Sequence, residues 1–438
     1  MTRSLPRAVR RDLYAVGAAA LLVTAAALVG TWIEREHGTL HVGWPPLYAH
    51  WLPHLGPGTP AALVVAAAVV TWGPRLAVRL PWRGLLAAAW ATAMAWTWSL
   101  ALIDGWRRGV ADRLTTKYEY LQVIDRFQDI PATLRDFTGH ILLHSPDHWP
   151  PHVAGHPPAA TLTFVLLDRI GLGGGAWAGA WVITVGASAC AAVLVAVRAL
   201  ASEELARRAA PFLAMAPAAV WTGTSADGYF TAVAAWSLAC LALAVTGRRP
   251  RLTGFAAGLL FGLTCYLSYG LTLFALIAGA ILLLGTRRLR PLPYALAGLV
   301  VVPALFTVLG FDWWEAYRLL TTRYYEGAGG IRPYGYWVWA NLACTVLLIG
   351  PATVAGLRRA ATAPTGPPRR LALLTAAALT ALLLADLSGM SKAETERIWL
   401  PFAAWLPAAC AFLPAPRAWL ASQAVLALSL NHLLLTGW

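Results

Sequence analysis

Long hydrophobic stretches recur along the whole chain and alternate with short polar linkers. Most contain about 20 residues, the number of helical residues that crosses the apolar core of a bilayer. They lie at 13–33, 60–78, 84–103, 158–170, 176–198, 209–223, 228–246, 252–268, 270–286, 291–309, 335–355, 371–388, 398–413 and 418–435. The pattern predicts an all-α, polytopic transmembrane helix bundle, in which residues 1–438 form a single integral membrane domain.

Arginine marks alternate linkers between these stretches. The chain has 34 basic and 20 acidic residues, a net charge of +14, and only two lysines, Lys117 and Lys392. The arginine clusters lie at 3–11, 75–83, 198–208, 248–251, 287–290, 358–370 and 417. Short arginine-bearing loops remain in the cytoplasm. We therefore predict a multi-pass protein of the cell membrane, with a cytoplasmic N-terminus and no nucleic-acid partner.

Residues 158–170 interrupt this alternation. The stretch is too short to cross a bilayer easily, and the glycine-rich residues 171–175 follow at once. A full crossing there would move every later basic cluster outside. We expect a half-helix that enters the membrane and returns, which is tolerated where protein or water covers the backbone. About 13 full crossings then remain.

The composition agrees with a membrane fold. Hydrophobic residues make up 58% of the chain and charged residues 12%, whereas soluble domains carry about 25% charged residues. The five cysteines all lie inside hydrophobic stretches. Neither disulfides nor thiolate metal sites are expected, and the cysteines are interpreted as small packing residues.

Five polar segments are predicted to share the extracytoplasmic side. They are the large loop 104–157, the turns 224–227 and 268–270, and the loops 310–334 and 388–397. These segments combine aromatic with ionisable side chains. A concave site with such a lining is the usual profile of a ligand-binding site, so we expect the functional site on this side.

Two carboxylates of the large loop are candidate general bases. Asp104 ends a hydrophobic stretch, and Glu119 follows within Lys117-Tyr118-Glu119-Tyr120. A base for a hydroxyl must lie within hydrogen-bond reach of the proton that it removes. The alternative is structural: Asp104 terminates a helix at the water boundary, and Glu119 pairs with Lys117 or a nearby arginine.

Other polar residues are candidates for substrate binding. Asp227 accepts a hydrogen bond from a sugar hydroxyl or pairs with an arginine, unless it only caps the helix 228–246. Arg397 and Lys392 suit a phosphate, which arginine contacts in a bidentate way, and Arg332 adds a third cation. The alternative for the stretch around Arg397 is a solvated turn in which Glu396 screens Lys392.

Five histidines recur every four residues, at His140, His144, His148, His152 and His156. Prolines between them forbid a continuous helix. A metal site is the alternative because imidazole is a common ligand. Asp147 is the only carboxylate within the run, and no metal or other cofactor is predicted.

Several short motifs resemble the GT-C superfamily of integral membrane glycosyltransferases. The motifs are Gly155-His156-Pro157-Pro158, Ser225-Ala226-Asp227, Ser268-Tyr269-Gly270 and Glu396-Arg397-Ile398-Trp399-Leu400-Pro401-Phe402, within roughly 84–405. They are also similar to an actinobacterial group, the methylthioxylose transferase-like proteins. The resemblance implies a GT-C-like bundle with a large extracytoplasmic loop.

The resemblance also implies an activity. The donor is a polyprenyl-phosphate sugar, the acceptor an extracytoplasmic glycan or glycolipid of the cell envelope, and the partners include membrane lipids. An acid of the first large loop acts as base, and single displacement is expected to invert the anomeric configuration. The residues implied in substrate binding are His156, Asp227, Tyr269, Arg332, Lys392, Glu396 and Arg397. The loop has no adjacent pair of acids, so the choice between Asp104 and Glu119 stays open.

A polytopic transporter or a flippase for lipid-linked sugars is the main alternative, and a scaffold for an envelope complex is a third. Transporters place polar groups near the membrane midplane, but the middles of the predicted helices are nearly free of charge, Asp386 being the main exception. An enzyme should show an outer cavity that opens sideways to lipid. A transporter should show a central path that both sides can reach.

Overall fold

The computed structural model describes residues 7–437, and helices dominate it. The α-helices are α1 (Arg7–His37), α2 (Thr59–Arg79), α3 (Trp82–Ala101), α4 (Ile130–Asp136), α5 (Pro151–Ala154), α6 (Ala159–Arg169), α7 (Gly175–Gly186), α8 (Ala189–Leu200), α9 (Glu203–Ala214), α10 (Ala219–Thr222), α11 (Ala226–Val245), α12 (Pro250–Leu267), α13 (Phe274–Leu284), α14 (Leu292–Val308), α15 (Trp313–Glu326), α16 (Ala328–Ile331), α17 (Tyr334–Ala360), α18 (Pro367–Leu387), α19 (Thr395–Ile398), α20 (Leu400–Ala403) and α21 (Pro416–Leu433).

Shorter elements connect these helices. A π-helical turn covers Arg107–Ala111, and 3₁₀ turns cover Leu102–Asp104, Arg113–Thr115, Tyr120–Phe127, Phe137–His140, Tyr269–Leu273 and Leu406–Phe412. The strands β1 (Ala49–Trp51) and β2 (Leu434–Thr436) pair antiparallel, with His50 opposite Leu435. The all-α class predicted from the hydrophobic pattern is confirmed.

Within residues 7–437, seven helices are long and apolar enough to cross a membrane. They are Arg7–His37, Thr59–Arg79, Trp82–Asp104, Gly175–Leu200, Ala226–Val245, Tyr334–Ala360 and Pro367–Leu387. The pair α14 and α15, bent by 77°, makes an eighth if it is one span. The chain is therefore a multi-pass membrane protein. The other predicted crossings are shorter or broken helices, and the number of about 13 crossings stays a prediction.

The interrupting stretch 158–170 forms the short helix α6. Its 11 residues extend about 16 Å at 1.5 Å per residue, roughly half of the apolar thickness of a bilayer. Gly174, with φ 83°, then begins α7. The length fits the predicted half-helix.

Helix α11 is the centre of the bundle. Its sequence is apolar all round, and nearly every residue from Ala226 to Val245 is buried, as expected for a helix enclosed by others. It contacts α7, α8, α12, α13 and α20. Because Asp227 stands at the start of α11, the fold brings this carboxylate into the middle of the bundle.

Helix α17 is kinked where it passes α21. Gly350 has φ 75° and ψ 170°, and Pro351 follows it. The Gln423 side chain spans the break: its Nε2 donates to the Ile349 carbonyl at 2.8 Å, and its Oε1 accepts from Ala352 N at 3.3 Å. A broken helix is tolerated at membrane depth when a neighbouring helix pairs the freed backbone groups in this way.

Helices α2 and α21 lie side by side and run in opposite directions. At one end, β1 precedes α2 and pairs with β2, which follows α21. There the Thr59 hydroxyl also meets His432 Nε2 at 3.0 Å. At the other end, the Arg417 guanidinium donates to the Thr71 carbonyl at 3.2 Å. The two helices therefore pair along their whole length.

Candidate active site

A strained loop places Arg397 inside the bundle. It lies in the single turn α19 and only 5% of its surface is exposed. The loop before it has two consecutive left-handed residues, Ala393 with φ 68° and Glu394 with φ 61°. Such conformations cost about 1–3 kcal/mol each in non-glycine residues and cluster at functional sites.

Asp227 pairs with this arginine. Its Oδ2 accepts from Arg397 Nη1 at 2.6 Å and from the Ser225 hydroxyl at 3.1 Å. Ser225 is the N-cap of α11, since its Oγ accepts from Asp227 N. Thr224, just before it, has φ 64°. The cap and the arginine pair predicted as alternatives therefore occur together, the cap being made by Ser225.

His152 lies between Glu119 and Arg397 and contacts both. Glu119 is buried, and its Oε1 lies 2.9 Å from His152 Nδ1. The opposite ring nitrogen, His152 Nε2, lies 3.4 Å from Arg397 Nη2. A guanidinium only donates, so Nε2 accepts and Nδ1 carries the proton; the contact of Nδ1 with Glu119 is a close ionic one without hydrogen-bond geometry. Among the described residues, Glu119 Oε2 is buried without a hydrogen-bond partner.

The structural alternative paired Glu119 with Lys117 or a nearby arginine, and its Lys117 half is wrong. The Lys117 ammonium instead lies 5.1 Å from the centre of the Tyr118 ring, and Glu119 faces the interior. A buried acid with one oxygen held and one oxygen unpaired can accept a proton from a bound hydroxyl. This is the arrangement that a general base requires.

Glu394 bridges two arginines. Its Oε2 lies 3.4 Å from Arg397 Nη2, and its Oε1 lies 3.4 Å from Arg332 Nη1. Arg332 is anchored by donating to the carbonyls of Leu40 at 2.9 Å and Lys392 at 2.8 Å. The structure thus brings Arg332 and Arg397 to the two sides of one carboxylate.

The charge of Arg397 is stabilised by its surroundings. Burial acts to lower its pKa, but the carboxylates of Asp227, Glu394 and Glu119 act more strongly in the opposite direction and raise the pKa above its ordinary value. The guanidinium therefore stays charged at any physiological pH. It supplies a fixed positive charge on the opposite side of the His152 ring from Glu119.

His156 and Tyr120 lie next to His152 and contact each other. His156 Nδ1 lies 2.7 Å from the His152 carbonyl and 3.1 Å from the Tyr120 hydroxyl. Burial lowers the pKa of His156 to about 4, so its ring is neutral at pH 7. A carbonyl only accepts; Nδ1 therefore carries the proton and Nε2 keeps a lone pair. Burial also raises the pKa of Tyr120 well above its ordinary value.

The alternative of a solvated turn around Arg397 is wrong. Lys392, Glu396 and Arg397 are all buried, because their loop folds inward. Glu396 does not screen Lys392: its Oε1 accepts from Tyr48 N at 3.0 Å. The Lys392 ammonium donates to the Gly329 carbonyl at 2.8 Å.

Glu396 is an unusual acid. It is 0% exposed, and Oε2 has no hydrogen-bond partner among the described residues. Burial raises its pKa to about 7, so a substantial fraction is protonated at neutral pH. The protonated form can donate a hydrogen bond, which the carboxylate cannot.

Both carboxylate oxygens of Asp104 have ion-pair partners. His54 Nε2 lies 2.8 Å from Oδ1, and Arg113 Nη2 lies 3.2 Å from Oδ2. His54 Nδ1 also lies 2.7 Å from the Leu52 carbonyl. Arg113 interacts electrostatically with Glu119 as well. It therefore stands between the two candidate acids.

Tyr269 belongs to a separate aromatic cluster. Its ring meets Trp313 at 5.1 Å and Tyr317 at 5.7 Å between centroids. Its hydroxyl is buried without a partner, and no hydrogen bond or ion pair in residues 7–437 joins it to Arg397. The predicted role of Tyr269 in substrate binding stays a prediction.

The histidine run does not form one helical face. His140 lies between Asp136 and the Pro146 carbonyl, 2.9 and 3.0 Å away, at a different place from His152. In the part of the chain that the structure describes, no group of three or more His, Cys, Asp or Glu side chains could hold a metal ion. Sequence reasoning did not distinguish His152 from the other four histidines, and it gave Glu394 no role.

The network is closed in this structure. An interior cavity of about 70 Å³ is lined by Thr97, Thr222 and Thr231, together with apolar residues. A larger cavity of about 680 Å³ lies beside Arg75 and Arg417. Neither is lined by Glu119 or Arg397. The outer cavity expected from the sequence is therefore not among these two.

Comparisons with known proteins give weak similarities. No protein-family model and no curated protein matches the chain. The oligosaccharyltransferase of Archaeoglobus fulgidus, solved with zinc and sulfate, is similar with a TM-score of 0.48 and 15% identity over 78% of this chain and 53% of that one. The same enzyme tethered to an acceptor peptide gives a TM-score of 0.44 and 14% identity over 76% and 49%.

The chain thus spans about half the length of these two solved structures. With scores below 0.5 and such low identities, neither a shared fold nor a shared activity follows from the similarity. The site has to be judged from its own geometry.

Proposed function

We propose that this protein is a membrane glycosyltransferase of the GT-C type. It transfers a sugar from a polyprenyl-phosphate donor to an acceptor of the cell envelope on the extracytoplasmic side. One observation carries the proposal: buried Glu119 has one oxygen 2.9 Å from His152 and one oxygen unpaired, and the same histidine contacts the permanently charged Arg397.

Glu119 is the general base in this proposal, and Asp104 is not. A base needs an oxygen that can receive a proton, and Glu119 Oε2 is available whereas both oxygens of Asp104 are engaged by His54 and Arg113. Asp104 instead positions Arg113. Arg113 in turn interacts electrostatically with Glu119.

The reaction is a single displacement. The acceptor hydroxyl gives its proton to Glu119 Oε2 while its oxygen bonds to the anomeric carbon. The bond from that carbon to the phosphate oxygen breaks, and polyprenyl phosphate leaves with the bonding electron pair. This route inverts the anomeric configuration. Arginine suits the leaving group because its planar fork contacts two phosphate oxygens at once.

Glu394 marks the place of the donor phosphate. Its carboxylate lies between Arg332 and Arg397, at 3.4 Å from each, which is long for a charge-assisted hydrogen bond. A phosphate carries oxygens of the same kind and more charge. It would displace Glu394 and take up both guanidinium groups, where the charge of the leaving group develops.

Substrate binding requires the loop 388–397 to move, because Arg397 is buried and Glu394 occupies the position between the two guanidinium groups. The left-handed Ala393 and Glu394 store part of the energy for such a change. Asp386, near the end of α18, supports this loop. It accepts from Asn341 Nδ2 at 2.9 Å, and Asn341 also donates to the Ser391 carbonyl at 2.7 Å. This pairing gives Asp386 an anchoring role and does not favour a transport path.

Mass spectrometry of envelope glycans tests the proposal. A deletion strain should lack one glycan residue, which wild-type protein restores and Glu119→Gln does not. Lys117→Gln serves as the matched control two residues away and should restore it, since Lys117 faces the surface. An unchanged glycan profile in the deletion strain, or full restoration by Glu119→Gln at normal protein level, would refute the proposed function.

A further inference from the structure

A cavity of about 680 Å³ lies between the end of α2 and the start of α21. Three arginines line it, Arg75, Arg79 and Arg417, and the rest of the lining is apolar, including Val78 and Pro416. The volume is within the range of small-molecule sites, about 300–1,000 Å³. The proposed function assigns nothing to this cavity.

The three arginines are held at one mouth without acidic partners. Arg75 and Arg79 are one helical turn apart on α2 and so share a face. Arg417, from α21, is fixed by its contacts of 3.2 and 3.3 Å to the Thr71 carbonyl. None of the three forms an ion pair with a carboxylate in residues 7–437. Three like charges converge there without compensation.

The cavity is remote from Glu119. The other end of α2 adjoins the segment that bears Asp104, since Gly58 N donates to the Leu102 carbonyl at 3.0 Å. Between the two ends lie the 21 residues of α2, about 30 Å of helix. A ligand of the cavity is therefore not the sugar donor of the proposed reaction.

We infer that this cavity binds the headgroup of an anionic phospholipid. The guanidinium groups contact the phosphate, and the glycerol and first acyl carbons lie against Val78 and the prolines. Basic pockets between membrane helices are suited to anionic headgroups. Inorganic phosphate would contact only the arginines and would make no favourable contact with the apolar residues of the lining. The lipid would also join α2 to α21 and stabilise their contact.

Thermal unfolding of the full-length protein in neutral detergent tests the inference. Dioctanoyl phosphatidylglycerol is titrated against dioctanoyl phosphatidylcholine and inorganic phosphate. Phosphatidylglycerol should raise the unfolding temperature saturably, because a ligand that binds only the folded state stabilises it by mass action. Phosphatidylcholine and inorganic phosphate should leave it unchanged over the same concentrations.

Variants locate the site. Arg75→Gln, Arg79→Gln and Arg417→Gln combined should weaken phosphatidylglycerol binding at least tenfold. The matched control combines Arg251→Gln, Arg290→Gln and Arg369→Gln, three exposed arginines outside the cavity, and should bind as wild type. If the triple variant does not fold, Arg79→Gln alone should weaken binding several-fold.

Three results would overturn the inference. Saturation by inorganic phosphate would make this a free-anion site, and an equal response to phosphatidylcholine would show general detergent-like binding. An equal loss in the control variant would show that net charge alone attracts the lipid. The enzyme assays of Glu119 variants do not depend on any of these outcomes.

Discussion

The two ring nitrogens of His152 make different contacts. A substitution can therefore preserve one contact while it removes the other. The amide of asparagine imitates Nδ1, which faces Glu119, and the amide of glutamine imitates Nε2, which faces Arg397. If orientation of Glu119 is the main role, His152→Asn should retain roughly 10- to 100-fold more activity than His152→Gln, since an unpaired buried carboxylate costs about 1–3 kcal/mol. Measured kcat values of the two variants decide. Equal losses would assign no special role to the Glu119 contact.

Glu396 makes stability depend on pH. Its pKa is raised from 4.5 to about 7 by burial, so the folded state holds this proton more tightly than the unfolded state. The stabilisation is complete below pH 4.5 and is lost as pH rises through 7. Glu396→Gln should remove this loss, worth up to roughly 3 kcal/mol between pH 5 and 8.

Thermal unfolding of Glu396→Gln at pH 5 and pH 8 measures the effect. The exposed Glu36 provides the control Glu36→Gln, which should keep the wild-type profile. His156 works in the opposite direction: its pKa is lowered to about 4, so its contribution is lost as pH falls from 6.5. A Glu396→Gln profile equal to that of wild type would contradict the buried, protonatable state of Glu396.

Sequence reasoning singled out Glu119, Asp227 and Arg397, which the structure brings together, but it did not predict their partners. Asp227 and Arg397 were singled out by their acidic and basic character at membrane boundaries, yet 170 positions separate them and no local pattern predicts that they pair. Of the five histidines, the sequence singled out His156 and not His152. Only the fold of the large loop, which turns Glu119 inward, distinguishes it from the others.

At the scale of elements, the break in α17 depends on a side chain from another helix. Gln423→Leu would leave the Ile349 carbonyl and Ala352 N unpaired at the kink. We expect a loss of about 1–3 kcal/mol in the free energy of unfolding. The neighbouring Ser422→Ala should change it by less than about 0.5 kcal/mol, because Ser422 bonds only its own helix. Chemical unfolding in detergent compares the two, and equal stabilities would contradict the role of Gln423.

The hydrophobic pattern located helices better than it predicted their continuity. The stretches 60–78 and 371–388 each coincide with a single long helix, α2 and α18. By contrast, the stretch 209–223 is split between α9 and α10 at Pro217, which lacks a backbone donor and disfavours a helical conformation of the residue before it. Hydrophobicity reports burial in lipid or protein alike, so it cannot tell a full crossing from a broken one.

At the scale of the whole molecule, the orientation in the membrane is a prediction from the arginine clusters. It places Lys117 outside and Arg290 inside the cell, and both side chains are exposed. In intact cells, a membrane-impermeant maleimide should label Lys117→Cys but not Arg290→Cys. The five native cysteines are buried or half-buried, and the unsubstituted protein gives the background. The reverse labelling would invert the topology and move Glu119 to the cytoplasmic side.

Transfer activity of two carboxylate variants tests the central claim most directly. Purified Glu119→Gln and Asp104→Asn are compared with wild type, using a polyprenyl-phosphate sugar as donor and the acceptor identified from the deletion strain. Loss of a general base lowers the rate by roughly 10²–10⁴-fold, and we predict this loss for Glu119→Gln, with Asp104→Asn within about tenfold of wild type because its role is to position Arg113. Near-wild-type transfer by folded Glu119→Gln would contradict the assignment of Glu119 as the base.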